Sequence, residues 1–157
     1  MPVAILAVAD GTDRTCSTGT LSYVSYSPAL VATSLNATSR TYALLRASGE
    51  FSLSVLGDGQ AELAVRAAKP STGDKFDEQD IPVAVPPPGF ASPGVKAAVT
   101  VLWCKLESAT ELGKYVLCVG RVEGWTGSDG EPLLRFARRY RALGADVEVT
   151  EEAPYPL

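Results

Sequence analysis

The chain has 157 residues, a length for one domain that buries roughly two thirds of its unfolded surface and needs no covalent staples. With 46% hydrophobic and 20% charged residues it reads as globular, and its net charge of -4 supplies no field that would favour nucleic acid. It contains no histidine, which excludes Ser-His and Cys-His catalysis, His-ligated zinc and an imidazole acid or base near neutral pH.

Val3 to Ala9 is a continuous apolar run. It is too short to span a bilayer and has no basic leader, so it predicts a first strand and not a membrane anchor. Asp10-Gly11 is a hairpin signal, with Arg14 to Ser17 as the returning strand. A hydroxyl-rich segment follows, Thr18-Gly19-Thr20-Leu21 to Ser27, then a Pro28 break and an apolar strand over 29–35. Thr38 or Asn36 can cap a helix over 39–47 that Gly49 stops. Phe51, Leu53 and Val55 alternate with Ser52 and Ser54 as in a strand. After the Gly57-Asp58-Gly59 turn, Gln60 to Lys69 reads as a helix ended by Pro70.

Residues 70–94 read as a long loop, which in a compact domain argues for function or mobility. Val95 to Glu107 and Tyr115 to Trp125 form a long hairpin across Leu112-Gly113-Lys114. Glu131 to Leu143 fits either helix or strand, and its place in a meander favours strand. The sum is a mainly β fold, six or seven strands in a small antiparallel barrel with two short helical inserts. The domain takes residues 1–146, and an acidic tail, 147–157, is expected as a surface strap or frayed end. Cys16, Cys104 and Cys118 are too sparse for a disulfide framework and suit a reducing cytoplasm. A Cys104–Cys118 bridge across neighbouring strands is the one pairing left open.

Thr18 to Leu56 is the stretch that looks like a ligand site. Hydroxyls and backbone amides crowd short strands, and Arg40 stands among hydroxyls where a helix should begin, which suits a phosphorylated small molecule. Asn36 serves equally as a cap or a ligand contact, and Ser25 and Ser27 as contacts or turn formers. The cluster Arg135, Arg138, Arg139 and Arg141 reads first as a solvated face, and Trp103 and Trp125 as core or interface residues.

In order along the chain, these parts resemble the flavin reductase-like, FMN-binding split-barrel family over about residues 3 to 143. The residues that carry the likeness are Thr18-Gly19-Thr20-Leu21, the Ser-rich turn before Pro28, Ser39-Arg40-Thr41, Gly49-Glu50-Phe51 and Gln60-Ala61-Glu62-Leu63-Ala64. Trp103-Cys104, Gly120 and Pro132-Leu133-Leu134 continue the series. The resemblance implies a Greek-key split β-barrel, a homodimer, and FMN (or FAD) as the flavin. Thr18, Gly19, Thr20, Leu21 and Ser25 would meet the ring, while Asn36, Ser39, Arg40 and Thr41 would hold the ribityl chain and phosphate. Lys75 and Phe76 would stand at the mouth of the site. It further implies hydride transfer from NADH or NADPH to flavin N5, and a partner oxygenase that uses the reduced flavin.

Two positions depart from the family pattern. Paired prolines are replaced by Pro28-Ala29, and the family's Gly-Asp-His by Gly113-Lys114-Tyr115, so Tyr115 stands where an imidazole would face the nicotinamide. Three readings stay open: a flavin reductase, an FMN electron-transfer or carrier protein without a pyridine-nucleotide site, and a split-barrel assembly module without flavin.

Overall fold

The computed structural model describes residues 1–148; most of the expected tail, residues 149–157, lies outside the described residues. Strand β1 (Val3–Asp10) turns at Gly11, whose φ is +63°, into β2 (Asp13–Thr20), with Asp10 opposite Asp13. The returning strand is therefore longer than expected and carries the Thr18-Gly19-Thr20 motif inside it. Then come β3 (Ser22–Ser25), β4 (Leu30–Asn36), α1 (Arg40–Ser48), β5 (Glu50–Val55) and α2 (Ala61–Ala67).

The segment 70–94, read as a loop, holds a short helix α3 (Lys75–Glu78) and β6 (Val83–Ala84). Asp74 caps α3 by accepting from the Phe76 and Asp77 amides, a local cap that the apolar periodicity did not reveal. Val95 belongs to a two-residue strand β7 (Gly94–Val95) paired with β6, so the long strand β8 (Thr100–Leu112) begins and ends later than expected. β9 (Tyr115–Gly127) completes the long hairpin as expected. Glu131 to Leu143 forms neither one strand nor a helix but a small ribbon, β10 (Leu134–Phe136) and β11 (Arg139–Arg141). Its turn, Ala137-Arg138, has both residues at positive φ, a geometry usually signalled by Asn-Gly and hidden here.

Seven strands form one antiparallel sheet in the order β2-β1-β5-β8-β9-β4-β3, so the architecture is mainly β, with three helices rather than two among the described residues. The sheet curls until its ends approach. A β-carbon on Gly19 of β2 would stand 3.3 Å from Thr33 Oγ1 of β4, yet no ladder joins these strands. Glycine is what permits so close an approach of backbone.

β1 is apolar throughout because it is covered on both faces. Ala4, Leu6 and Val8 point into the curl, with Leu35, Tyr42, Leu45, Phe51, Leu53, Cys104 and Val116. Val3, Ile5 and Ala7 point outward under α2 and α3, with Leu63, Ala67, Phe76 and Ile81. Each such Leu, Ile or Phe contributes about 1.5–3 kcal/mol of burial. β5 is likewise buried on both faces. Ser52 and Ser54, which alternation would place toward solvent, are covered by the segment 92–95: Ser52 Oγ donates to Pro93 O (2.6 Å) and Ser54 Oγ accepts from Val95 N (2.9 Å). Gly120 of β9 lies against the Phe51 ring, where any β-carbon would overlap it and stand 2.8 Å from Cys104 Cβ.

The three thiols are free and buried. Cys104 pairs in register with Val122 and Cys118 with Ala109, so the neighbouring strands offset the two cysteines and no Cys104–Cys118 bridge forms.

Candidate functional site

Helix α1 starts at Ser39, which is the cap rather than Thr38 or Asn36. Ser39 Oγ accepts from the Tyr42 amide at 3.1 Å, and Gly49 closes the helix at φ +70°. The Ala43 amide bonds Ser39 O, which leaves the Arg40 and Thr41 amides as free donors of the first turn among the described residues. Asn36 acts one step earlier: its Oδ1 accepts from the Thr38 amide (2.9 Å) and hydroxyl (2.8 Å), shaping the turn into the helix.

Beside this helix start lies a cavity of about 300 Å³, lined by Thr15, Ser17, Ser39, Arg40, Thr41, Lys69, Ser71 and Lys75 among others. Ser17 Oγ of β2 and Thr41 Oγ1 of α1 are 2.7 Å apart and tie its two main walls together. Arg40 borders the cavity but is already engaged. It pairs with Asp13 and donates to Gly73 O (2.7 Å) and Ser71 Oγ (3.2 Å), fastening the segment after α2 to the start of α1. Lys75 is not at an open mouth. Only 7% exposed, its Nζ donates to Cys16 O (2.7 Å) and Ala67 O (3.1 Å). Burial holds its ammonium below the ordinary lysine value; Cys16 and Glu78 pull the other way, and the Arg40 charge adds to the lowering. Phe76, expected at the mouth of the site, is 2% exposed in the outer core, with Arg14 over its ring.

Farther along β2 is a second cavity of about 360 Å³, lined by Val3, Thr18, Gly19, Thr20, Ala68, Arg135 and Tyr140. Ala68 lines both cavities, so the two adjoin at the end of α2. Thr18 Oγ1 donates to Ala64 O at 2.5 Å, so its hydroxyl is spent on α2. Leu21 is half-buried and packs on the inner core. The structure thus brings together Thr18, Gly19 and Thr20 in one hollow, and Ser39, Arg40 and Thr41 in the next. Ser25 and Ser27 lie elsewhere, on an apolar groove of about 470 Å³ with Tyr23, Tyr26, Leu102 and Trp125.

Tyr115 is more than half exposed at the end of the β8–β9 hairpin. It is paired in register with Asn36, and the Ala37 amide donates to Lys114 O, so the hairpin end stands beside the entry to α1. Trp103 is buried, its Nε1 donating to Ser92 O, whereas Trp125 is 72% exposed.

Sequence reasoning missed Thr15, Ser17, Lys69, Ser71 and Arg135 as lining residues. Ser17 could have been found, since it continues the hydroxyl run by one residue. Arg135 reaches the Thr18 hollow only through the pairing of the ribbon with the amino terminus, where the Arg135 amide donates to Met1 O.

Helix first-turn donors, hydroxyls and cations beside an edge strand form a site suited to a phosphorylated ligand. The flavin reductase like domain model matches residues 1–144, and the chain belongs to that family. It is 30% identical over 122 residues (76% of this chain, 72% of the relative) to the reductase component of 4-hydroxyphenylacetate 3-monooxygenase from Thermus thermophilus. It is also 30% identical over 145 residues (88% of this chain, 78% of the relative) to the NADH:riboflavin 5'-phosphate oxidoreductase of Streptomyces pristinaespiralis. Among solved structures, the NADH:FAD oxidoreductase of Streptomyces globisporus superposes with a TM-score of 0.83 at 26% identity, covering 92% of this chain and 86% of the other. No helix among the described residues is long and apolar enough to cross a membrane.

Proposed function

We propose that this chain, as a single domain over 1–146, is an NAD(P)H:flavin oxidoreductase that takes FMN across the two adjoining cavities. The observation that carries the reading is that two cavities sharing Ala68 are lined by successive residues of β2. Ser17 lines one and Thr18 to Thr20 the other, and at about 3.3 Å per residue the strand carries the site roughly 10 Å from a phosphate end to a ring end. The polar end holds the phosphate against Ser39, Thr41 and the free amides of α1, with the dipole of the helix favouring the anion. Arg40 keeps the wall of that end in place. At the other end, the backbone of Thr18 to Leu21 meets the polar edge of the ring.

The flavin supplies the redox chemistry when bound, accepting a hydride at N5 from NADH or NADPH. The chain's own part is to fix the ring, leave one face open to the nicotinamide and orient it, which requires no protein acid and so no histidine. Tyr115 replaces the family's histidine and stands beside Asn36 at the entry to α1, so we assign it to the nucleotide from the family pattern. We assign a homodimer joined through the apolar groove around Tyr23, Tyr26 and Trp125, a cytoplasmic setting that suits three unpaired thiols, and delivery of reduced flavin to a partner oxygenase.

Spectral titration of the purified protein with FMN, then with NADH or NADPH under anaerobic conditions, tests this. The reading predicts saturable binding of FMN and nucleotide-dependent bleaching faster than free FMN shows. Absence of FMN and FAD binding would refute it. The Tyr115 replacement favours one second reading, an FMN carrier or electron-transfer protein, and binding without bleaching by either nucleotide would select it.

A further inference from the structure

Residues 132–145 carry four arginines, Arg135, Arg138, Arg139 and Arg141, and no acidic residue, in a chain whose net charge is -4. All four are exposed, and none forms an ion pair among the described residues. Like charges gathered this closely repel one another, and the ribbon that holds them contains no carboxylate to offset the cost.

The fold fixes where these charges stand. Leu133 is buried, its carbonyl accepts from the Val3 amide, and Leu134 bridges to Pro2, so the β10–β11 ribbon is rooted on the start of β1. Arg135 and Tyr140 are opposite each other in register, with the Arg135 guanidinium 4.8 Å from the centre of the Tyr140 ring. Both line the hollow of Thr18, Gly19 and Thr20. Arg139 and Arg141 flank Tyr140 in the chain and, by strand alternation, lie on the other face of the ribbon. Each is the direct neighbour of a lining residue, so its charge acts on the hollow from within about one screening length, roughly 10 Å at 0.1 M salt.

We propose that the ribbon is an electrostatic funnel at the rim of this hollow, whose arginines draw anionic ligands, FMN and the pyridine nucleotide, into the site. The proposal rests on the flavin reading for the identity of those ligands. Both carry phosphate charge, which the acidic chain as a whole repels. The ribbon reverses the sign of the field where they enter. Its outward arginines act before contact, so they set the rate of capture and leave the strength of holding to the cavity walls.

Stopped-flow mixing of the protein with FMN, and separately with riboflavin, over a salt series from about 0.01 M to about 1 M tests this. The wild type should bind FMN with an association rate that falls about tenfold or more across the series, while the rate for neutral riboflavin stays flat. Arg139→Gln/Arg141→Gln should slow FMN association about threefold to tenfold at the low-salt end. It should leave riboflavin unchanged and the FMN dissociation rate within about twofold of the wild type. Lys96→Gln/Arg121→Gln, which removes the same charge from exposed positions elsewhere, should behave as the wild type. A salt-insensitive FMN rate in the wild type, or equal slowing by the two double variants, would overturn the proposal, and the first of these needs no variant to fold. FMN and riboflavin bound at equal, salt-independent rates would remove the funnel and leave the flavin reading standing. Binding of neither flavin would remove both.

Discussion

Ser17 Oγ and Thr41 Oγ1 lie 2.7 Å apart, and this contact joins the open edge of the sheet to the first turn of α1. Thr41 is buried, and Ser17 faces the cavity that both residues line. The contact fixes the helix start relative to β2, and with it the spacing between the two ends of the site.

A double-mutant cycle with Ser17→Ala and Thr41→Val should therefore show a coupling of about 0.5–1.5 kcal/mol in folding stability, the usual net value of one hydrogen bond. Denaturant unfolding of the four proteins measures it. Additive effects would mean that the two hydroxyls act independently.

Gly120 has no space for a side chain, since a β-carbon would overlap Phe51 and crowd Cys104. Phe51 is wholly buried and cannot swing aside. Gly120→Ala should destabilise the fold by about 1–3 kcal/mol, the range for overpacking a core. Gly120→Ala combined with Phe51→Leu should recover part of that loss, which separates a steric effect from a backbone one.

The ribbon turn offers the opposite case. Arg138 holds φ +63° and Ala137 φ +49°, a backbone that costs a non-glycine residue about 1–2 kcal/mol. Arg138 is exposed and makes no ion pair among the described residues. Arg138→Gly should thus raise stability by about 0.5–1 kcal/mol, or roughly 1–4 °C in Tm. A lower Tm would show that the side chain matters more than the strain.

Burial pushes all three thiols up, Cys16 and Cys104 to about 12 and Cys118 to about 11. Lys75 opposes Cys16, and Asp74 adds to the rise. The folded protein should therefore resist thiol alkylation at pH 8, and all three cysteines should react once it is unfolded. A thiol whose folded pKa lies above its unfolded value contributes stability that is full below about pH 9 and is lost as pH rises toward 12. Lys75, shifted down, works the other way: the penalty for burying its charge is relieved as pH rises toward the ordinary lysine value of 10.5. Above about pH 10.5 the amine no longer opposes the thiols, so stability should fall from there toward pH 12. A Cys104→Ala/Cys118→Ala variant should show a shallower fall than the wild type.

Much of this was readable from local pattern. The Asp10-Gly11 hairpin, α1 with its Gly49 stop, and the β8–β9 hairpin all rest on turn chemistry and periodicity within a few residues. What escaped depends on distant chain. Ser52 and Ser54 alternate as if exposed, but the segment 92–95 folds over them. The Ala137-Arg138 turn lacks its usual residues and is held by the strands it joins, and Lys75 looks like a loop lysine until Cys16 and Ala67 enclose it. The site was legible as two hydroxyl clusters in sequence. The packing of the α1 start against β2, and the engagement of Arg40 with Asp13, were not, because both depend on how the sheet curls.

The central claim is that flavin lies along β2 and is reduced there. The direct measurement is an anaerobic stopped-flow record of FMN absorbance after mixing the FMN-loaded protein with NADH, and separately with NADPH. The account predicts bleaching that saturates with nucleotide concentration and requires the protein. Flavin that stays bound and oxidised with both nucleotides would contradict it.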